Sequence, residues 1–444
     1  MKTFTFRKLF FIGFSFILSV TALSGQEGEF VTVEGMEFKA NGLPYYFLGT
    51  NMWYGMNLGM EGEAGDRDRL IRELDLLQSK GVNNLRVMGS SEGPDSEPLR
   101  VVPAMQIAPG EYNEAVCVGL DFLLAEMGKR GMYAVVCLNN FWSWSGGMSQ
   151  YLSWASQDRI PYPPPAEGGD WGRFQQFSSQ FFSNTKAQKL FKQHLKVLLN
   201  RKNSITGILY KDDPTIMAWQ LGNEPRGYEN IKAYRKWLHK TAKYLKRLDK
   251  NHLVSIGSEG NTANHFAGTH FKTDHKSKFI DYATMHIWVQ NWSWFDPKKG
   301  EETFQDAVSK AKAYLEEHVN IANELSMPVV LEEFGISRDL ADHHPEAPTQ
   351  YRDEYFETIF ASLFQLASEG RGIAGGNFWS WGGEGRPGIP NGMWRPGDDL
   401  IGDPPHESQG WYSVYDSDHS TMTIIEKYAK MFRKLGDKTT VGSQ

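Results

Sequence analysis

The sequence predicts a (β/α)8 TIM barrel with a short N-terminal β-hairpin and long βα loops. Three observations carry this. Apolar, β-like runs alternate with amphipathic helical segments along almost the whole chain. At two junctions, Lys80-Gly81-Val82 and Arg130-Gly131-Met132, a helix-like segment stops at glycine and an apolar strand follows at once. The strand-like runs number eight, which is what a closed parallel barrel requires. An open doubly wound sheet is the alternative, but it calls for a glycine-rich first turn that this chain lacks.

The elements follow in order. Residues 30–44 alternate in polarity around Asn41-Gly42, a hairpin signal. A strand over 45–51 leads to a helix over 67–80, with Leu70, Leu74 and Leu77 on one face. A strand over 83–88 leads to a helix over 115–130, with Val116, Leu120, Leu124 and Met127 inward. The third strand spans 133–138. A helix over 186–201 precedes a strand over 215–221, and one over 231–248 precedes a strand over 253–257. The strand over 282–287 follows an irregular stretch expected to hold a short helix. Helices over 304–325 and 351–368 precede strands over 329–333 and 373–380, and a helix over 423–435 closes the chain. The long irregular segments 89–110, 139–183, 289–302 and 381–420 all follow strands. They should therefore build the face on which such barrels place their chemistry.

The composition narrows the function classes. The 444 residues are 40% hydrophobic, enough for a large core, and the net charge is −6. No run of Lys and Arg suggests a nucleic-acid partner. The 14 Trp exceed the needs of a core, and Trp suits the gripping of flat apolar ligand faces. Lys2, Arg7 and Lys8, an apolar stretch over 9–20 and Ala22-Leu23-Ser24 read as a signal peptide spanning 1–25. The alternative is a membrane anchor, but the apolar stretch is short for a span. The expectation is a secreted protein, extracellular or periplasmic, with 26–444 as one catalytic domain, no membrane contact after cleavage, and a monomeric state. Cys117 falls on an amphipathic helix and Cys137 in an apolar strand, so two buried free thiols are expected. No Cys/His spacing suits zinc and no glycine-rich loop suits phosphate, so neither metal nor cofactor is expected.

Two acidic residues stand out. Glu224, in Asn223-Glu224-Pro225-Arg226, and Glu333, in Glu332-Glu333-Phe334-Gly335, each end a β-like run and meet a chain reversal. A carboxylate at the end of a buried strand is costly to desolvate unless it has work to do. Two in equivalent positions suggest the paired-carboxylate chemistry of glycoside hydrolysis, in which one carboxyl starts protonated and the other ionised. Burial is expected to raise the proton affinity of Glu224. Read alone, Asn223-Glu224-Pro225 is also a plain helix start. Glu332 competes with Glu333, but successive strand residues alternate, so only one is expected to face the pocket. Arg86 ends its strand where it can hydrogen-bond a carboxylate. Asn223 is placed to reach a sugar hydroxyl, Arg226 to order its loop, His286 to orient substrate or a Glu, and Trp379 to form a floor under a sugar ring. Trp53, Trp142, Trp144, Trp292 and Trp294 fall on the expected top loops, where some line a cleft and others pin loops.

Leu85-Arg86-Val87, Asn223-Glu224-Pro225, His286-Ile287-Trp288, Glu333-Phe334-Gly335 and Trp379 together resemble glycoside hydrolase family 5 over nearly all of residues 30–436. The finer resemblance is to subfamily 7, the endo-β-1,4-mannanases. It rests on the segment from Gly49 to Gly55, on Leu138-Asn139-Asn140-Phe141-Trp142 with Gly146-Gly147, and on the segment from Ser255 to Gly260. The resemblance implies Glu224 as acid/base and Glu333, not Glu332, as nucleophile. It places Arg86, Asn140, Trp142, Asn223, Arg226, His286, Trp288, Trp379 and Trp53 around substrate, and β-mannan and manno-oligosaccharides as the partners. Trp288 stands where many members carry a Tyr that bonds the nucleophile, and Asn140 lies near where many carry a His. The rival functions are an exo-acting β-mannosidase, because loops 139–183 and 381–420 can block a cleft, an endo-β-1,4-glucanase, and a non-catalytic carbohydrate-binding barrel.

Overall fold

A computed structural model describes Met1 and residues 29–438, so the signal peptide expected over 1–25 lies outside the described residues apart from Met1. Eight parallel strands form one sheet: β1 (Phe47–Asn51), β2 (Asn84–Met88), β3 (Tyr133–Cys137), β4 (Ile216–Gln220), β5 (Leu253–Ser255), β6 (Ala283–Ile287), β7 (Val329–Phe334) and β8 (Ile373–Phe378). Each is followed by a helix: α1 (Arg67–Ser79), α2 (Glu114–Lys129), α3 (Thr185–Leu199), α4 (Ile231–Leu248), the one-turn α5 (Phe271–Asp274), α6 (Gly300–Glu324), α7 (Gln350–Ser368) and α8 (His419–Lys438). The expected barrel is therefore present strand for strand. Asp66, Asn113 and Asn184 each cap the helix that follows by accepting a backbone N–H with the side chain.

The ladder runs β5-β4-β3-β2-β1-β8-β7-β6. The circle closes between β5 and β6 without a regular ladder. There Asp281 donates its N–H to Val254 O at 2.9 Å and accepts the Val254 N–H on Oδ2 at 2.6 Å. Thr284 Oγ1 accepts the Ser258 N–H at 2.7 Å, and His286 N–H meets Glu259 O at 3.0 Å. Side chains thus satisfy backbone groups that a three-residue β5 leaves unpaired. Strand β5 is shorter than expected because Gly257 turns the chain at φ 81, where a Cβ would meet Gly222 O at 2.1 Å.

The expected N-terminal hairpin is instead a three-stranded meander of Thr32–Glu34, Glu37–Ala40 and Leu43–Pro44. A second turn at Gly35 (φ 63) precedes the one at Asn41-Gly42 (φ 51 and 73). The meander caps the amino end of the barrel. Phe38 packs on Phe47 and meets Tyr282 edge-on at 5.2 Å, within a cluster that includes Met217, Val330 and Ala374. Loop 139–183 is not wholly irregular: it holds helices Gly147–Ser156 and Trp171–Ser179. Pro163-Pro164-Pro165 between them breaks the periodicity that signals a helix in sequence. Cys117 and Cys137 are both free and buried. Among the described residues no helix is long and apolar enough to cross a membrane.

Because Phe38 is 1% exposed and fills the barrel floor, Phe38→Ala should cost about 3 kcal/mol or more in denaturant unfolding. A loss below about 1 kcal/mol would mean the meander is not part of the folded core.

Candidate active site

The carboxyl ends of the strands converge on one place, as the barrel topology dictates. Strand β2 brings Arg86, β6 brings His286 and β7 brings Glu333. The segment after β3 brings Asn140 and Trp142, the segment after β4 brings Asn223 and Glu224, and the residue after β8 is Trp379. Glu224 sits at φ 47, an unfavourable region for a residue with a Cβ. Its N–H is fixed to Gly257 O at 2.9 Å, and the Asn223 N–H to Asn139 O at 2.8 Å, so the barrel wall imposes the bend.

Arg86 is the hub. It is 4% exposed. Its Nε donates to Gln220 Oε1 at 2.8 Å and its Nη2 to Asn223 Oδ1 at 2.8 Å. Its Nη1 donates to Asn51 Oδ1 at 3.0 Å and to Glu333 Oε1 in a short ion pair. A planar guanidinium suits this multiply directed task better than an ammonium. The strict alternation expected at Glu332 and Glu333 fails. The β6–β7 register slips by one residue, so that Met285 pairs with Leu331 and His286 with Glu333. That slip lets both side chains point inward. Glu332 lies deeper, accepting from Gln220 Nε2 at 2.6 Å and standing 3.8 Å from Arg86 Nε. Only Glu333 of the two reaches the cavity.

Glu224 receives three donors: His286 Nδ1 at 2.7 Å and Trp288 Nε1 at 3.0 Å on Oε1, and Trp142 Nε1 at 2.6 Å on Oε2. His286 Nδ1 also stands 3.2 Å from Glu333 Oε2. Burial pushes the Glu224 carboxyl up, but the hydrogen bond and charge of His286, the charge of Arg226 and the Trp142 indole outweigh it and hold it down at about 2. Burial works against a charge on His286, yet Glu333, Glu224 and Glu332 around it raise it well above 6.5. The expectation that burial alone sets the proton affinity of Glu224 is thus corrected: the donors around its carboxyl outweigh burial and lower it, while the neighbouring carboxylates raise that of His286. Trp288 donates to Glu224 rather than to Glu333.

The cavity has a volume of about 500 Å³, within the usual range for small-ligand sites. Trp142, Asn223, Glu224, Arg226, Trp288, Glu333 and Trp379 line it. Arg86 and His286 stand behind the carboxylates they hold. Asn140 also stands behind the wall, accepting the Trp142 N–H at 3.0 Å and donating to Ser145 Oγ at 3.0 Å. Trp53 is 3% exposed, donates to Gly402 O at 2.8 Å and lines a much smaller void below. Trp144 and Trp292 line the cavity; Trp294 packs on Trp292 at 4.9 Å. Arg226 is clamped by both oxygens of Glu259, at 2.6 and 2.7 Å, and by Gln175 at 2.9 Å, with its guanidinium 4.7 Å from the Trp142 ring centroid. Glu259, Gln175, Trp171, Asn291, His406, Glu407, Trp411 and Tyr412 also line the cavity and escaped sequence reasoning. Only Glu259 carried a signal, inside the Ser255–Gly260 segment.

Glu224, His286 and Glu333 each bring one ligand-type atom within 4.8 Å of the other two. The indoles of Trp142 and Trp288 and the guanidinium of Arg86 aim N–H groups at the same carboxylates. That donor set stabilises anions and a shared proton.

A family model described as GH family 5 beta-mannosidase-like matches residues 28–437. The chain belongs to glycoside hydrolase family 5. Its solved structural neighbours include a glycoside hydrolase family 5 mannosidase from Rhizomucor miehei, at 40% identity and TM-score 0.85, covering 92% of this chain and 99% of that one. A mutant of that enzyme has been solved in complex with mannosyl-fructose. Mannan endo-1,4-beta-mannosidase 4 of Solanum lycopersicum is 32% identical over 82% of this chain and 86% of its own length. Mannan endo-1,4-beta-mannosidase 7 of Arabidopsis thaliana is 32% identical over 79% of this chain and 78% of its own. This family 5 chain is a glycoside hydrolase, which sets aside the non-catalytic carbohydrate-binding barrel.

The Glu224–His286 pairing has a pH signature. A carboxyl held at about 2 in the fold against 4.5 when free stabilises the protein above 4.5, and that contribution is lost as pH falls toward about 2. An imidazole raised well above 6.5 stabilises it below 6.5, and that contribution is lost as pH rises through the folded value. The difference in thermal midpoint between the native protein and His286→Gln should therefore be greatest between pH 4.5 and 6.5 and shrink on both sides. A difference independent of pH would contradict the pairing.

Proposed function

We propose that this family 5 hydrolase cleaves β-1,4-mannosidic bonds inside mannan, glucomannan or galactomannan with retention of configuration. The observation that carries the reading is His286 Nδ1 bridging Glu224 at 2.7 Å and Glu333 at 3.2 Å in a cavity with Trp379 in its wall. Carboxyl groups this close suit double displacement, in which no water needs room between acid and nucleophile. Glu333, paired with Arg86, attacks the anomeric carbon. Glu224 passes the proton it shares with His286 to the departing oxygen. As Glu333 becomes an ester its charge disappears, and His286 loses one of the anions that hold its proton, which favours the transfer. Glu224 then takes a proton from water as that water releases the sugar. The mannan endo-1,4-beta-mannosidases of tomato and Arabidopsis support the substrate class. The basic and apolar start of the chain supports export to the periplasm or medium.

A second reading, trimming from chain ends, has one specific observation in its favour. Trp171 of the β3 loop meets His406 of the β8 loop, with ring centroids 6.3 Å apart, so two long loops touch above the cleft. The mannosidase named in the Rhizomucor miehei structure is in keeping with it.

Glu333→Ala and Glu224→Ala should each lower kcat by about a thousandfold while the fold is kept. Azide should partly rescue Glu333→Ala on an activated mannoside by forming a glycosyl azide. Near-native activity in either variant would refute the assignment. Digestion of mannohexaose separates the two modes: early release of mixed lengths supports internal cleavage, and mannose or mannobiose alone supports end trimming.

A further inference from the structure

Three carboxyl groups line the cavity in addition to the Arg226-clamped Glu259: Glu224, Glu333 and Glu407. The first two have donors around them. Glu407 does not: its Oε2 is buried without a hydrogen-bond partner. Two more polar atoms in the same walls share that state, Nδ1 of His406 and Nε1 of Trp379. A buried polar atom without a partner is unfavourable in a native fold and calls for a reason.

The segment that carries Glu407 is held firmly. Asp403 accepts the N–H groups of Gly410 at 3.0 Å and Tyr412 at 2.6 Å and the hydroxyl of Ser413 at 2.5 Å. Gln409 Nε2 reaches the carbonyls of Asp403, Pro404 and Glu407 itself. Glu407 N–H closes on Pro404 O at 2.9 Å. The loop spends its polar groups on its own shape and leaves the Glu407 carboxyl for something else, an arrangement suited to a preorganised contact.

We propose that Glu407 is a substrate-contacting residue, hydrogen-bonding hydroxyl groups of the sugar unit lodged beneath the Trp171–His406 contact. The proposal rests on the reading of the cavity as a β-mannosidic cleft and adds a residue to it. Burial, together with the charges of Asp403, Glu333 and Glu224, pushes the Glu407 carboxyl well above 4.5. A neutral carboxyl tolerates the two nearby anions. It also offers one donor and one acceptor, the pattern that a pair of neighbouring sugar hydroxyls can match. Burial holds His406 at about 4, so its ring is neutral and its free Nδ1 can serve the same sugar.

The test is steady-state kinetics on mannotriose through mannohexaose with native enzyme, Glu407→Ala and Glu407→Gln. Alanine should raise KM at least ~10-fold with a smaller change in kcat, because it removes binding. Glutamine keeps a donor and an acceptor in the same shape and should raise KM by only about threefold. If the alanine variant fails to fold, Glu407→Leu, close in size but without a polar atom, takes its place, and a native KM there overturns the proposal. A folded alanine variant with native KM, or a glutamine variant as impaired as alanine, also overturns it. Native enzyme that cleaves none of these oligosaccharides would instead refute the functional reading.

Discussion

The Arg86–Glu333 ion pair is the constraint on which the rest of the site depends. Two charges taken from water at the top of a barrel are costly, and one guanidinium–carboxylate contact does not offset that cost unaided. The remaining donors of Arg86 are therefore given to Asn51, Gln220 and Asn223, which come from β1, β4 and the end of β4. Asn51 in turn donates to Glu332 O at 2.8 Å on β7. One side chain thus ties four strands together at their carboxyl ends, and the same network that neutralises Glu333 sets the spacing of the wall opposite.

That spacing places Glu224. The left-handed backbone at Glu224 costs on the order of 1–3 kcal/mol, sustained by hydrogen bonds to the neighbouring strand ends. The bend turns the carboxyl toward three N–H donors, so Glu224, beyond the end of β4, and Glu333, on β7, share His286 between them. The result is a hydrogen-bonded triad with unequal ends. One carboxylate is held by a permanent cation; the other is held by a cation that can give its proton up. Around this pair the β3 and β8 loops supply aromatic walls and, at Trp171 and His406, a contact across the top.

Much of this was legible in the chain. Strands buried on both faces read as continuous apolar runs, and helices ending at Gly81 and Gly131 mark the βα repeat. Glu224 and Glu333 stood out because a carboxylate at the end of an apolar run is physically unusual. What was not legible depends on pairing between distant segments. The register slip at Glu332 requires knowledge of how β6 lies against β7, so the alternation argument misjudged that side chain. The net effect on Glu224 required a count of donors from three different loops, and burial alone gave the wrong sign. Gln175 and Glu407 sit in segments whose composition is ordinary for loops, and only the closed barrel brings them to one cavity. Trp53, read as a cleft residue because it follows a strand, and Asn140, placed near substrate by the resemblance, both spend their polar atoms behind the wall.

The central claim is that Glu333 attacks the sugar directly, with Glu224 serving both halves of the reaction. The most direct measurement is proton NMR of the first product formed from a manno-oligosaccharide. Two successive inversions predict that the newly exposed reducing end appears first as the β-anomer and only later equilibrates. Initial appearance of the α-anomer would mean that water attacks in a single step, and the account built on the shared His286 would be wrong.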